Sequence, residues 1–139
     1  MIRTMHAADL DTLLQIWLDG NRQAHAFVPA TYWEQHLPLL RVALPAAQVY
    51  VYEDAAGIQG FLGLQGDYIA GLFVRAAAQG RGIGTQLLKH AKATHPHLTL
   101  SVYEKNKRAR AFYVREGFRY GPPQTTDGET EYSMTWAAP

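Results

Sequence analysis

The run from Asp67 to Tyr103 constrains the fold most: an apolar segment, "DYIAGLFV", a loop with glycine at 80, 82 and 84, an amphipathic segment, and a second apolar run, "LTLSVY". Glycine costs roughly 0.5–1 kcal/mol against alanine in regular structure, so three at alternate positions need a cause. A tight turn needs one of them. A loop that brings its backbone against a ligand uses all three. Behind the loop, Ile83, Leu87, Leu88 and Ala91 fall on one helical face. A strand, helix and strand in this order predict a parallel pair joined by a right-handed crossover, with the nearly continuous apolar strand central.

The rest of the chain supplies antiparallel partners. "MIRTM" predicts an opening strand, and Leu10, Leu13, Leu14, Trp17 and Leu18 a helix with Asp9 or Ala8 at its cap and Gly20 as its stop. Pro29 to Leu44 repeats the helical pattern, with Pro38 kinking or splitting it. "QVYVYED" and "IQGFLGLQG" read as a hairpin, and "FRYGPPQTT" and "TEYSMTW" as two closing strands. Between them "KRARAFYVRE" is a helix opened by Asn106 and closed by Gly117. The expectation is an α/β fold with a mixed sheet, one domain over residues 1–139.

Composition narrows the function classes. A formal net charge of +1 gives no support to a binder of nucleic acid or of membrane surfaces, which needs a large basic excess. With no cysteine there is no disulfide, thiolate metal site or cysteine nucleophile. The first residues lack a signal-peptide pattern, and no apolar run approaches the ~20 residues that span a bilayer. A cytoplasmic location is expected. The six histidines form no metal-binding pattern, and no metal is expected.

A glycine-rich turn ahead of a helix presents unpaired amides at the positive end of the helix dipole, which suits phosphate. A P-loop requires a Gly-Lys pair, which is absent. A dinucleotide fingerprint requires glycine where Thr85 stands, although Glu104 lies about 20 residues on, where a ribose-binding acid would sit. Too few residues follow for a doubly wound sheet.

The remaining reading takes "QGRGIG" as [Q/R]-x-x-G-x-[G/A], with Gln79, Gly82 and Gly84 in the fixed positions. This resembles the pyrophosphate loop of the GNAT superfamily of acetyl-CoA-dependent N-acetyltransferases. "NKRARAFYVREGF" resembles that superfamily's N-x-x-A-x-x-F-Y-x-x-x-G-F block, in the order expected. The region "WLDGNRQAHAFVPATYWEQHLPLLR" is similar to a branch of small bacterial members, some of which acetylate protein lysines. The resemblance implies a mixed, mostly antiparallel sheet flanked by helices, with a central parallel pair around the acetyl-CoA loop.

It also implies roles. Gln79, Gly80, Arg81, Gly82, Ile83, Gly84 and Thr85 would hold the pyrophosphate, any side chain at 82 or 84 intruding on it. Leu72, Phe73 and Val74 would offer main-chain groups to the pantetheine and the acetyl oxygen. Asn106, with Ala109, would contact the pantetheine arm or cap the helix. Tyr113 would be the acid for the leaving thiolate, a task suited to a phenol with pKa about 10. Its alternative is a core tyrosine.

With no cysteine, direct attack by a primary amine in a ternary complex is the simpler mechanism. The amine, on a small molecule or a protein, must first lose a proton. Several relatives carry a glutamate where Ser101 stands; Glu104 is shifted from that position by three residues, which leaves Glu53, His25 or a water chain as base. His25, Phe27, Tyr32, Trp33 and Tyr68 are the expected acceptor wall. A non-catalytic coenzyme-A-binding module is the alternative, and the chain is expected to be a monomer or a homodimer.

Overall fold

Seven strands pair into one sheet in the order β1-β2-β3-β4-β5-β7-β6 in the computed structural model, which describes residues 1–139. They are β1 (Ile2–Thr4), β2 (Gln48–Asp54), β3 (Gly57–Gln65), β4 (Tyr68–Val74), β5 (His97–Tyr103), β6 (Arg119–Thr126) and β7 (Glu129–Ala137). The α-helices are α1 (Leu10–Ala24), α2 (Ala30–Ala46), α3 (Ile83–Lys92) and α4 (Lys107–Arg115). Every neighbouring pair is antiparallel except β4 and β5, the parallel pair that α3 connects.

Strand alternation sorts the side chains into two cores. Leu62 and Leu64 of β3 and Leu98, Leu100 and Val102 of β5 join Ile83, Leu87, Leu88 and Ala91 of α3 and Tyr113 of α4. On the other face Val49, Val51 and Phe61 meet Leu13, Leu14 and Ile16 of α1 and Leu44 of α2. The sheet therefore lies between a layer of α1 and α2 and a layer of α3 and α4.

Two helix boundaries differ from expectation. Gly20 does not stop α1, which runs on to Ala24. A Cβ there would lie 2.8 Å from Cδ1 of Phe73, so the glycine admits the β4 aromatic ring against the helix. Pro38 does not split α2, which is continuous around both Pro38 and Pro45. Packing of Trp33 and Leu44 outweighs the lost main-chain bond.

The central pair departs most from a regular sheet. β5 pairs with β7 at seven positions, whereas β4 and β5 share one, Tyr68 with Thr99. Beyond it the strands part, and the second half of β4 has no partner on the β5 side. β4 is accordingly less buried than its apolar sequence predicts, and β3 is the strand buried along nearly its whole length.

Candidate active site

The glycine loop sits where β4 leaves the sheet. A single helical turn at Ala76–Ala78 leads to Gly80 and Gly82, with φ of 80° and 78°, and α3 starts at Ile83 with no side-chain cap. None of the amides from Gly80 to Thr85 donates to a loop, turn or cap carbonyl, whereas Ala78, Gln79 and Gln86 on either side do. A Cβ on Gly80 or Gly82 would meet nothing within 4 Å, so the left-handed backbone is what requires glycine there. At Gly84 a Cβ would come 3.3 Å from Cζ of Phe112, so this glycine lets α4 approach α3. Protein geometry, ahead of any clash with a ligand, accounts for all three.

The side chains around the loop are already engaged. The Gln79 amide donates to the Val74 carbonyl at 3.0 Å and ties the loop to the end of β4. Arg81 is 3.4 Å from the Asp54 carboxylate, and the Thr85 hydroxyl donates to Glu116 at 3.1 Å. Ile83 is buried in the core, so only its amide faces the loop.

Along β4 the roles divide by parity. Arg75 donates its amide to Gln59 of β3, and the ladder alternates, so Leu72 and Val74 turn their main-chain groups toward the gap while those of Phe73 turn to β3. Phe73 serves through its ring, held in a slot between Gly20 and Gly71 and 5.5 Å from the ring of Phe61.

The α4 end closes the same gap. Asn106 caps the helix, its side-chain oxygen accepting from Ala109 N at 3.2 Å. Tyr113 is 8% exposed and packs edge-on to Phe112 and Phe118. Trp33 Nε1 is the one fully buried side-chain polar atom without a partner. No protein group hydrogen-bonds the Tyr113 hydroxyl. Burial of the ring raises its pKa above the ordinary tyrosine value and keeps the phenol protonated.

On the α1–α2 face, His25, Phe27, Trp33 and Tyr103 gather at the far end of β5. The His25 ring centroid lies 5.7 Å from Phe27, 5.4 Å from Trp33 and 4.8 Å from Tyr103, and Tyr32 packs 4.9 Å from Trp33. Tyr68 does not join them. It lies at the start of β4, level with Thr99, about 13 Å short of Tyr103 along the strands.

The base candidates are occupied. Glu53 accepts from Arg3 Nε at 3.0 Å on β2, two strands from the gap. The Glu104 carboxylate turns to the Tyr132 hydroxyl at 3.3 Å. Both His25 nitrogens are within hydrogen-bond distance of asparagine side chains, and burial lowers its pKa to about 4.

Sequence reasoning passed over Asn21, Tyr103 and Phe112. Asn21 lies on the inner face of α1, where a polar residue at 4% exposure signals a dedicated partner. Tyr103 ends β5 with the parity of Ser101, and so reaches the α1–α2 face.

A gap between two parallel strands thus joins the two faces of the sheet, with unspent amides at one end and an aromatic wall across it. Comparison with known proteins identifies the family. The GNAT acetyltransferase domain family matches residues 45–120. The chain is 39% identical to the peptidyl-lysine N-acetyltransferase YiaC of Escherichia coli over 120 residues, 85% of this chain and 82% of the relative. It is 32% identical to the peptidyl-lysine N-acetyltransferase YjaB of Escherichia coli, over 85% and 81% of the two chains. The solution structure of apo-form YjaB from Escherichia coli superposes with a TM-score of 0.87 at 27% identity, covering 100% of this chain and 98% of that one. PaiA N-acetyltransferase from Thermoplasma acidophilum, in complex with coenzyme A, has the same fold, with a TM-score of 0.81 at 18% identity over 99% and 98%. On the matched family domain and these aligned relatives, the chain belongs to the GNAT family and is an acetyl-CoA-dependent acyltransferase.

Proposed function

We propose that this enzyme moves an acetyl group from acetyl-CoA to the side-chain amine of a lysine presented by a protein or peptide, by direct attack in a ternary complex. The observation that carries the reading is the parting of β4 from β5 beyond Tyr68, with the unspent amides of Gly80 to Thr85 beside it. The lysine acceptor is supported by the two relatives that are peptidyl-lysine N-acetyltransferases.

On this reading the amides of Gly80, Arg81, Gly82, Ile83, Gly84 and Thr85 receive the coenzyme's pyrophosphate at the positive end of α3. Arg81 stays half-exposed and able to swing from Asp54 to a phosphate. Leu72 and Val74 take the place of a missing β5 partner and bond the pantetheine amides through their main chain. Asn106 and Ala109 form the start of the α4 wall. Acetyl-CoA held there supplies a thioester at the level where β4 and β5 have separated.

The amine approaches from the other face, along His25, Phe27, Tyr32, Trp33 and Tyr103, whose rings cover the aliphatic part of a lysine. The amine's proton leaves through water, since the neighbouring carboxylates are engaged elsewhere. As the new C–N bond forms and the C–S bond breaks, the Tyr113 hydroxyl gives its proton to the sulfur and regains one from solvent. Burial keeps the phenol protonated at neutral pH, so the proton is present when the coenzyme binds.

The test is a peptide panel incubated with acetyl-CoA, read by free-thiol release and by mass spectrometry of the acetylated residue. Tyr113→Phe should lower kcat by about 100-fold or more while the acetyl-CoA Kd stays within about threefold. Equal turnover removes the acid role. Coenzyme binding without thiol release from any amine removes the proposed activity.

A further inference from the structure

The helical layers on opposite faces of the sheet are joined by one side-chain hydrogen bond, and it crosses the candidate site. His25, the residue that follows α1, reaches Asn106 at the start of α4, with Nε2 3.1 Å from Asn106 Nδ2. His25 Nδ1 lies 3.0 Å from Asn21 Oδ1.

Main-chain partners at both ends fix the direction of this chain. The Ala109 amide donates to Asn106 Oδ1, so the Asn106 atom facing His25 is the NH2 donor. The Trp17 carbonyl accepts from Asn21 Nδ2 at 2.9 Å, so the Asn21 atom facing His25 is the oxygen. The imidazole must then accept at Nε2 and donate from Nδ1. One arrangement satisfies every group from Ala109 N to Trp17 O, and in it the ring is neutral. A second ring proton would set N–H against N–H at Asn106. Rotating that amide would set NH2 against the Ala109 amide and undo the α4 cap.

We infer that His25, as the neutral Nδ1–H tautomer, is a positioning residue that clamps Asn106 and with it the start of α4 across the gap, setting the distance between the thioester side and the amine side of the site. The inference rests on the acetyl-transfer reading and adds to it what holds the two halves in register. β4 and β5 do not, because they share one pairing. The clamp replaces the missing ladder at the open end of the gap, close to Tyr103. The same imidazole that lines the acceptor wall is thereby withdrawn from service as a base.

The surroundings suit a neutral ring. Phe27, Trp33 and Tyr103 pack around it. The titratable and charged groups nearby are Tyr32 of α2, Tyr103 of β5 with Glu131 opposite it on β7, Lys105 over the Phe27 ring at 5.0 Å, Glu129 of β7, which pairs with Lys105 at 3.0 Å, and the ion pair of Arg22 with Glu34. Both cations are thus paired, and no carboxylate hydrogen-bonds the imidazole to draw a second proton onto it. A glutamine side chain carries a donor and an acceptor at similar spacing on a flat group, and is neutral at every pH.

The test combines structure and kinetics. Nitrogen-15 NMR of labelled wild-type protein at pH 7 should show His25 protonated at Nδ1 and bare at Nε2. His25→Ala should lower kcat by at least about tenfold with the acetyl-CoA Kd within about threefold, because the pyrophosphate loop lies elsewhere. His25→Gln should restore most of the lost kcat. In a double-mutant cycle, His25→Ala combined with Asn106→Ala should lower kcat little further than Asn106→Ala alone. An Nε2–H or charged ring at pH 7, a glutamine variant as slow as the alanine variant, or fully multiplicative losses each overturns the clamp. A wild-type protein with the Nδ1–H signal that releases no thiol overturns the acetyl-transfer reading and the catalytic role of the clamp, while leaving the hydrogen-bond assignment intact. The two failures are therefore distinct.

Discussion

Substituting Gly82 with valine separates the backbone of the loop from everything around it. The residue is exposed, has φ of 78°, and leaves a Cβ in open space, so no packing contact is disturbed. A left-handed L-residue costs roughly 1–2 kcal/mol, partly offset by about 0.4–1 kcal/mol from a stiffer unfolded chain. Valine is worse placed than alanine there, because its branched Cβ crowds the main chain. The net cost to the fold should be about 1–2 kcal/mol. For a chain of 139 residues the unfolding entropy is about 0.3 kcal/mol/K, so Tm should fall by about 3–7 °C. Strain of that size is relieved by turning φ negative, which rotates the flanking peptide planes and swings the amides of Gly82 and Ile83 away from a shared anion. Two charge-assisted hydrogen bonds at about 1.5–3 kcal/mol each would go, a loss of about 100-fold or more in acetyl-CoA affinity. Calorimetric titration at 25 °C on protein shown to be folded by circular dichroism measures this. A valine variant that keeps its Kd within about threefold would falsify the assignment of these amides to the pyrophosphate.

Two further outcomes follow from charge. Asp9 is 9% exposed and accepts from Arg3 at 2.8 and 3.1 Å and from the His6 amide at 2.7 Å, so Asp9→Ala should cost about 2–3 kcal/mol in urea unfolding at pH 7. The Arg3 guanidinium holds that carboxyl below its ordinary pKa, so the contribution exists above about pH 4 and the gap between wild type and variant should close as pH falls through the folded value. His25 has the same sign: its folded pKa of about 4 is below the ordinary 6.5, so the unfolded chain binds the extra proton and stability is complete above pH 6.5 and lost toward pH 4. The ring is partly exposed and solvent screens its charge, so the contribution should be about 1 kcal/mol between pH 7 and 4.5, seen as a urea midpoint that moves less in His25→Gln than in wild type. An equal shift in both proteins refutes it.

The elements were legible where one local signal decides them. The strand–loop–helix run, the hairpins and the Asn106 cap follow from apolar period and turn chemistry, which act over a few residues. The misread boundaries are places where a distant contact outweighs that chemistry. Gly20 carries a stop signal, but the ring that needs its missing side chain is Phe73, far away in sequence. The site divided in the same way. The loop residues and the cap were visible as a contiguous pattern. The engagement of Gln79 with Val74, the turning of Glu104 to Tyr132 and the meeting of His25 with Asn106 depend on tertiary placement that no spacing encodes. Tyr68 shows the converse error: an aromatic on the right strand, at the wrong end of it.

The parting of β4 and β5 explains why the site is where it is. A parallel pair inside a sheet normally bonds along its length, and an unpaired internal edge leaves amides and carbonyls that must be satisfied. Here each strand is paired along its outer side, β4 with β3 at every position but Ala70 and β5 with β7 throughout, so each half of the sheet has its own ladder without the central one. Aromatic side chains stand on both faces of the gap: Phe73 is fixed in its glycine slot on one side, while Phe112 rests against Gly84 on the other. Closing the gap would shift these rings and break the His25–Asn106 bond, which offsets part of what new parallel-strand hydrogen bonds return at about 0.5–1.5 kcal/mol net each. An extended pantetheine carries its own amides at strand-like intervals, and on the proposed reading it completes the ladder that the protein withholds. Coenzyme binding should therefore protect the amides of Leu72 and Val74 from hydrogen exchange more than that of Phe73, which already turns to β3. Equal protection across the three would mean that the coenzyme does not lie along this edge.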